Sequence, residues 1–320
     1  MWSPGWMRRA RAGMMDSPKQ RNYGACMPSA TTPGQPEPTP EFGASVVIPA
    51  HNEERVIERC LDSLRDQGRT DLQVVVVANG CTDDTVGVAR RYTGLPHLSV
   101  LDIAEPSKPD ALNAGDLAAS SFPRIYLDAD ICLGPGAVDA LIEALDVPQP
   151  RAAAPRVTFD LSASSAAVRT FYSVFTQLPY VREGLVGLGV YGMSQAGRER
   201  FEQFPRITAD DLFAQRIFAP HERVVVDAEF VFTAPGDLRS LVNVRTRVAK
   251  GNTELAGQPE PEAADFSAST RGTVRALLGL VRERPSRAPA AAWYAAVTAY
   301  SRWRAGRSST THWERDSSTR

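Results

Sequence analysis

The sequence predicts an α/β protein built on a mostly parallel, doubly wound sheet with helices on both faces. Two observations carry that expectation. Between residues 45 and 127, four short apolar runs alternate with three stretches of helical spacing, and alternation of that kind builds parallel sheets. The run at 72–78 is nearly all valine, as in a strand covered on both faces by helices.

The elements follow in order. Residues 45–49 read as a short buried strand stopped by Pro49. Residues 53–67 carry Val56, Ile57, Cys60, Leu61 and Leu64 at helical spacing, with Gly68 where a C-cap belongs. The valine strand at 72–78 runs into Asn79-Gly80-Cys81-Thr82-Asp83-Asp84-Thr85, a turn opening a helix with Thr82 or Asp83 as N-cap. A third strand is expected at 98–103, a third helix at 111–120 and a fourth strand at 125–127. Beyond 135 the pattern loosens. Helices are expected at 137–145, 166–178 and 210–218, strands at 156–161 and 224–232, a glycine-rich strand beside a loop at 185–194, and a basic loop at 245–251.

The ends differ from this middle. Residues 1–43 hold seven prolines and little periodic apolar content, and read as a disordered segment. Residues 44–255 form the folded domain, and 256–320 a basic helical tail with a disordered end. Residues 271–320 carry ten arginines against three acids, a net +7, around a small-residue helix at 290–297. A helix packed on the domain is the favoured reading of that tail. The sharper one is an interfacial helix drawn to anionic lipid, a peripheral membrane contact.

Composition excludes several classes. Net charge is −1 and the apolar fraction 43%, so no whole-chain bias toward nucleic acid is present and no nucleic-acid partner is expected. The four cysteines make no CxxC pair and the four histidines no zinc motif, which fits a reduced cytoplasmic compartment. No run of about eighteen apolar residues occurs to span a bilayer. The arginines near the start have no apolar region behind them, unlike a secretory signal.

The most informative residues are Asp128-Ala129-Asp130. Two acids one residue apart follow a buried strand, where open α/β sheets place their ligands. Such a pair either makes a turn or holds a hard divalent cation. Each earlier strand also ends in a polar loop: Pro49-Ala50-His51-Asn52-Glu53, then Asn79 to Asp83, then 105–115 with Lys108. A nucleotide site needs donors and acceptors for a base, a cation for phosphate and a metal-binding carboxylate pair. Neither GxGxxG nor a P-loop sequence is present, so a dinucleotide site and a P-loop are not expected.

Taken together, residues 46–54, the Asn79–Thr85 loop, Lys108 with Ala111-Leu112-Asn113-Ala114-Gly115, and Asp128-Ala129-Asp130 resemble glycosyltransferase family 2. The resemblance covers about residues 44–255 and implies the GT-A fold, a Rossmann-like sheet. It implies an inverting, metal-assisted transfer of one sugar from a nucleotide-diphosphate sugar, UDP-sugar by default, to a hydroxyl acceptor. The acceptor would be a carbohydrate, a lipid-linked group or a small molecule, in cell-envelope, polysaccharide or glycolipid synthesis, in the cytoplasm or at the inner face of the membrane. Pro49, Asn52, Glu53 and Asn79 would line the base and ribose pocket. Lys108 would lie near the phosphates. Asp128 would contact ribose or metal, and Asp130 would ligate Mg2+ or Mn2+.

The family's acid before the second-loop glycine is absent, since Ala78-Asn79 stands there. Its acid pair opening a later helix resembles Thr208-Ala209-Asp210-Asp211, with Arg216 in register. Asp210 would be the base and Asp211 the second candidate. Helix-start acids without catalytic work are the plain alternative. Gly187 to Ser194 resembles the acceptor loop. Arg245 and Arg247 resemble the basic loop that clamps the diphosphate, with Val244 and Val248 replacing its glutamine and tryptophan, which argues for single transfer over polymerisation. A sugar-1-phosphate nucleotidyltransferase would need a glycine-rich loop after strand one, and Ala50 to Glu53 stand there instead. A catalytically inactive nucleotide-sugar-binding module remains the alternative of a different class.

Overall fold

The computed structural model describes residues 42–182, 189–207, 210–256 and 270–307. The proline-rich start and the disordered end expected of the tail lie outside them.

Strand β1 (Ala44–Ala50) is buried along its whole length. Helix α1 (Ile57–Arg65) buries Ile57, Cys60, Leu61 and Leu64 as the spacing predicts, with Asp66 as C-cap; Gly68, expected there, lies two residues farther on with φ +72°. Strand β2 (Leu72–Asn79), helix α2 (Thr85–Arg91) and strand β3 (Leu98–Ile103) follow. Helix α3 (Lys108–Ala118) begins three residues earlier than expected. Ser107 is its N-cap and accepts the Asp110 N–H at 3.3 Å, and Pro109 sits in the first turn, where its missing N–H costs nothing. Lys108 is therefore on a helix start and not in a loop.

Strand β4 (Arg124–Leu127) leads to the two-residue strand β5 (Cys132–Leu133), helix α4 (Ala137–Leu145) and strand β6 (Ala152–Asp160). Helices α5 (Ala166–Phe175) and α6 (Pro179–Arg182), strand β7 (Val190–Met193), and helices α7 (Gln195–Arg198) and α8 (Asp210–Arg216) come next. Strand β8 (Arg223–Thr233) precedes three helices, α9 (Leu238–Ala256), α10 (Thr270–Glu283) and α11 (Ala288–Arg307).

The strands form one sheet in the order β3-β2-β1-β4-β7-β6-β8-β5. The first four are parallel, with Ala50 beside Ala78 and Asn79 beside Ile103. Antiparallel β7 joins β4 to the second half, where β6 and β8 pair in parallel across a register shift at Pro155/Arg156. Helices α1 and α4 cover one core, and a second forms where Val47, Leu112, Tyr126 and Phe218 meet on the other face.

Two sequence expectations need correction. The basic stretch at 245–251 is not a loop but the middle of α9. A lone glycine such as Gly251 weakens a helix by about 1 kcal/mol without breaking it, while Leu241 and Thr246 are buried on its inner face. Strand β6 begins at Ala152 and not at Arg156, because three alanines give little strand signal.

Candidate nucleotide-sugar site

Parallel pairing brings the carboxyl ends of β1, β2, β3 and β4 to one edge, so their four polar loops converge. The loops are tied to one another. Asn52 adopts φ +55°, and its Oδ1 accepts from the Thr82 N–H at 2.6 Å, the Thr82 hydroxyl at 3.2 Å and the Asp83 N–H at 3.3 Å. The Glu53 N–H donates to Thr85 Oγ1 at 2.6 Å, and Asp83 Oδ1 accepts the Thr85 N–H at 3.1 Å; the N-cap of α2 is Asp84, just past the expected Thr82 or Asp83, and makes no side-chain cap bond. Pro49 is buried in β1.

Asn79 was expected to face a base. Its amide is instead 3% exposed and works within the chain: Nδ2 donates to the Ala50 carbonyl at 2.8 Å and Oδ1 accepts the Ser107 N–H at 3.1 Å. It braces the end of β1 and the start of α3 around β2. His51, which the sequence did not single out, donates from Nδ1 to the Asn79 carbonyl at 2.6 Å.

The centre of the edge is Lys108. Its ammonium lies 2.7 Å from Asp128 Oδ1 and 2.9 Å from Asp210 Oδ1. The side chains of Lys108 and Asp210 are 14% and 5% exposed and that of Asp128 is 35%. Burial alone would lower the Lys108 pKa, but Asp128, Asp210 and Asp211 outweigh it and hold the ammonium charged well above its ordinary range. Asp128 is pushed up by burial and by Asp210 and Asp130, against the pull of Lys108. Burial and the neighbouring Asp210 raise Asp211 to about 7, against Lys108.

Tyr191 completes the group. It lies on β7 opposite Tyr126 on β4, and its hydroxyl donates to Asp210 Oδ2 at 3.3 Å. Burial first, then Asp210, holds its phenol protonated far above the usual range. Sequence patterning does not single out Tyr191, because a four-residue strand among glycines carries almost no periodic signal.

The acid turn itself is built on Gly189. The Asp128 N–H donates to the Gly189 carbonyl at 2.6 Å and the Ile131 N–H to the Asp128 carbonyl at 3.1 Å. Gly189 has φ +99°, and a Cβ there would come within 2.7 Å of Ile131 Cγ1, so both backbone and space require glycine. The rest of the expected acceptor loop, Gly187 and Leu188, lies outside the described residues, as do Thr208 and Ala209. Asp130 is exposed at the rim.

The segment carrying Asp210 is anchored from α3. Asn113 donates to the Phe204 carbonyl at 3.1 Å and accepts the Phe204 N–H at 2.8 Å. Asp116 pairs with Arg124 at 2.8 Å and Arg198 at 2.7 Å and accepts the Tyr126 hydroxyl at 2.7 Å. These bonds fix α3 against β4 and the chain leading to α8.

Arg245, expected to clamp a diphosphate, lies on α9, which packs against the Asp210 helix α8. Its guanidinium lies 5.2 Å from the Phe175 ring centre and 5.7 Å from that of Phe171, a cation–π contact within the helical layer. Arg247 shares that helix.

Among the described residues no group of three or more His, Cys, Asp or Glu side chains gathers as a metal cluster. The donor set at the edge is nonetheless hard oxygen: Asp130 at the rim and Asp128 beside Lys108. Two carboxylates completed by water and phosphate oxygens suit Mg2+ or Mn2+, so these residues fit a cation that arrives with a diphosphate.

Residues 45–198 match the family model for glycosyl transferase family 2. A chondroitin synthase of Pasteurella multocida is 34% identical over 105 residues, covering 31% of this chain and 10% of that protein. A 4,4'-diaponeurosporenoate glycosyltransferase of Staphylococcus aureus is 28% identical over 168 residues, 51% of this chain and 42% of that one. The chain thus spans less than half the length of either relative. Among solved structures, a mannosyltransferase from Pyrobaculum calidifontis in complex with GDP-Man and Mn2+ superposes with a TM-score of 0.53 at 24% identity, covering 85% of this chain and 79% of that one. That likeness concerns the fold.

Proposed function

Since the chain belongs to glycosyl transferase family 2 through residues 45–198, we propose that it transfers one sugar, with inversion, from a nucleotide-diphosphate sugar to a hydroxyl acceptor. The observation that carries this reading is the Lys108 ammonium held between Asp128 and Asp210 at the carboxyl edge of the sheet. It joins the residue suited to a phosphate to the residue suited to a proton.

In this reading Asn52 and Glu53 border the nucleoside, with Asn79 bracing the loops behind them. Lys108 receives the diphosphate charge. Asp130 and Asp128 would hold Mg2+ or Mn2+, which neutralises that charge when bound. Asp210 takes the proton of the acceptor hydroxyl as its oxygen bonds to the anomeric carbon, and the bond to the leaving diphosphate breaks on the opposite side. Tyr191 holds Asp210 in orientation from its second oxygen. Arg245 and Arg247, on α9, are the candidates to clamp the diphosphate. UDP-sugars are the default donors, with GDP-sugars as the comparison. The acceptor is a carbohydrate, a lipid-linked group or a small molecule.

The test is Asp210→Asn assayed with UDP- and GDP-sugars, Mn2+ and acceptor extracts. Loss of a positioned general base lowers turnover by about 10^2–10^4, while donor binding persists. Full turnover by Asp210→Asn overturns the assignment. Donor binding by the wild type with no turnover in any extract favours a binding module.

A further inference from the structure

Helix α11 has two unlike faces. One buries Ala291, Tyr294, Val297 and Ser301 against the domain, with Tyr294 stacked 4.8 Å from Phe171 and Trp293 Nε1 donating to the Ala167 carbonyl at 2.9 Å. The other carries Ala292, Ala295, Ala296, Ala299, Tyr300 and Trp303, all exposed. These positions share one helical stripe about 17 Å long, at 1.5 Å per residue. A helix facing water ordinarily carries charge there, and this stripe carries none. Tyr300 and Trp303, each half exposed, stack at 5.7 Å, and Arg307 lies 4.4 Å over the Trp303 ring. Helix α10 adds a second apolar pair one turn apart, Val274 at 49% and Leu278 at 66% exposure, flanked by exposed Arg275 and Arg282. Residues 270–307 hold eight arginines against Glu283 alone, a net +7.

We propose that the exposed apolar faces of α10 and α11 dock the protein on an anionic lipid bilayer, lying in the interface. Apolar side chains, paired interfacial aromatics and a surrounding cationic field are what such a surface recognises. The alternatives meet the same residues less well. A second copy would set one arginine-rich segment, net +7 over residues 270–307, against another. A nucleic acid offers phosphate to the arginines but no apolar sink for Leu278 and Val274. No helix of the described residues is long and apolar enough to cross a membrane, so the contact is peripheral. The proposal is independent of the donor site.

The experiment is flotation of the full chain with vesicles of phosphatidylcholine alone or with about 30% phosphatidylglycerol, a typical anionic fraction. The wild type is expected to float only with anionic vesicles and to be released by high salt. Trp303→Ser combined with Leu278→Gln lowers partitioning about tenfold, and Arg275→Gln or Arg282→Gln about fivefold each. Ala296→Glu, placing a charge in the stripe, does the same without touching the aromatics. All these sites are exposed, so thermal unfolding should not move, and donor binding in the same samples should be unchanged. No flotation with anionic vesicles overturns the proposal, as does equal flotation by the variants. Trp303-dependent dimerisation, or retention on nucleic acid with no flotation, overturns it in favour of those partners.

Discussion

Removing the Lys108 ammonium while keeping its stem, as in Lys108→Met, leaves Asp128, Asp210 and Asp211 facing one another. In the wild type the ammonium sits within 2.9 Å of two of them. Breaking a buried ion pair on one side costs about 3–5 kcal/mol, and the 35% exposure of Asp128 places the expectation near the lower end, about 3 kcal/mol. The sign with pH is specific. Lys108 is raised above its unfolded value, so its contribution is complete at every pH below about 10 and is lost only far into the alkaline range. The stranded carboxylates behave oppositely. Asp128 and Asp211, already raised by burial with Lys108 in place, bind more protons folded than unfolded, so the variant loses stability as pH rises toward 8. Urea unfolding of both proteins from pH 5 to pH 8 should therefore show a gap of about 3 kcal/mol at pH 8 that shrinks by at least half at pH 5. A constant gap, or one below about 0.5 kcal/mol as for a surface pair, would refute the buried triad.

Other outcomes follow from the same geometry. Asp211→Asn should stabilise the protein above pH 7 and change little below pH 4. The carboxyl raised to about 7 penalises the folded state once ionised, and some solvent access limits the gain to about 1–2 kcal/mol; urea midpoints across that range check it. Tyr191→Phe removes a hydrogen bond to Asp210 and should lower kcat about tenfold with KM for the donor unchanged, a split that separates positioning from donor binding. Gly189→Ala forces a strained φ and a 2.7 Å contact on Ile131; a loss of about 1–3 kcal/mol is expected in thermal unfolding, whereas Gly279→Ala, inside α10 and facing open space, should stabilise by about 0.5–1 kcal/mol.

Much of the first half was legible because its two periods are distinct. The valine run at β2 and the spacing of Ile57, Cys60, Leu61 and Leu64 admit few other readings, and parallel pairing then places Asn52, Lys108 and Asp128 along one edge. The second half was harder for physical reasons. Alanines open β6, and a short glycine-flanked strand carries Tyr191, so neither position advertises itself. The arginine cluster near 245 reads as a loop by charge alone, and the widely spaced buried positions Leu241 and Thr246 carry the weaker helix signal. The third helix, expected from 111, starts at Lys108 because Pro109 suits a first turn. Asn79 shows the limit of reading a residue by type, since a buried amide serves a ligand or the backbone equally well until its neighbours Ala50 and Ser107 are in place.

The most direct test of a diphosphate site at this edge is calorimetric titration of UDP- and GDP-sugars, with Mn2+, into the wild type, Lys108→Met and Asp130→Ala. A diphosphate held at Lys108 and the acid turn predicts binding by the wild type and a loss of at least about tenfold in each variant, since a charge-assisted bond contributes about 1.5–3 kcal/mol. Equal binding by all three proteins would contradict it.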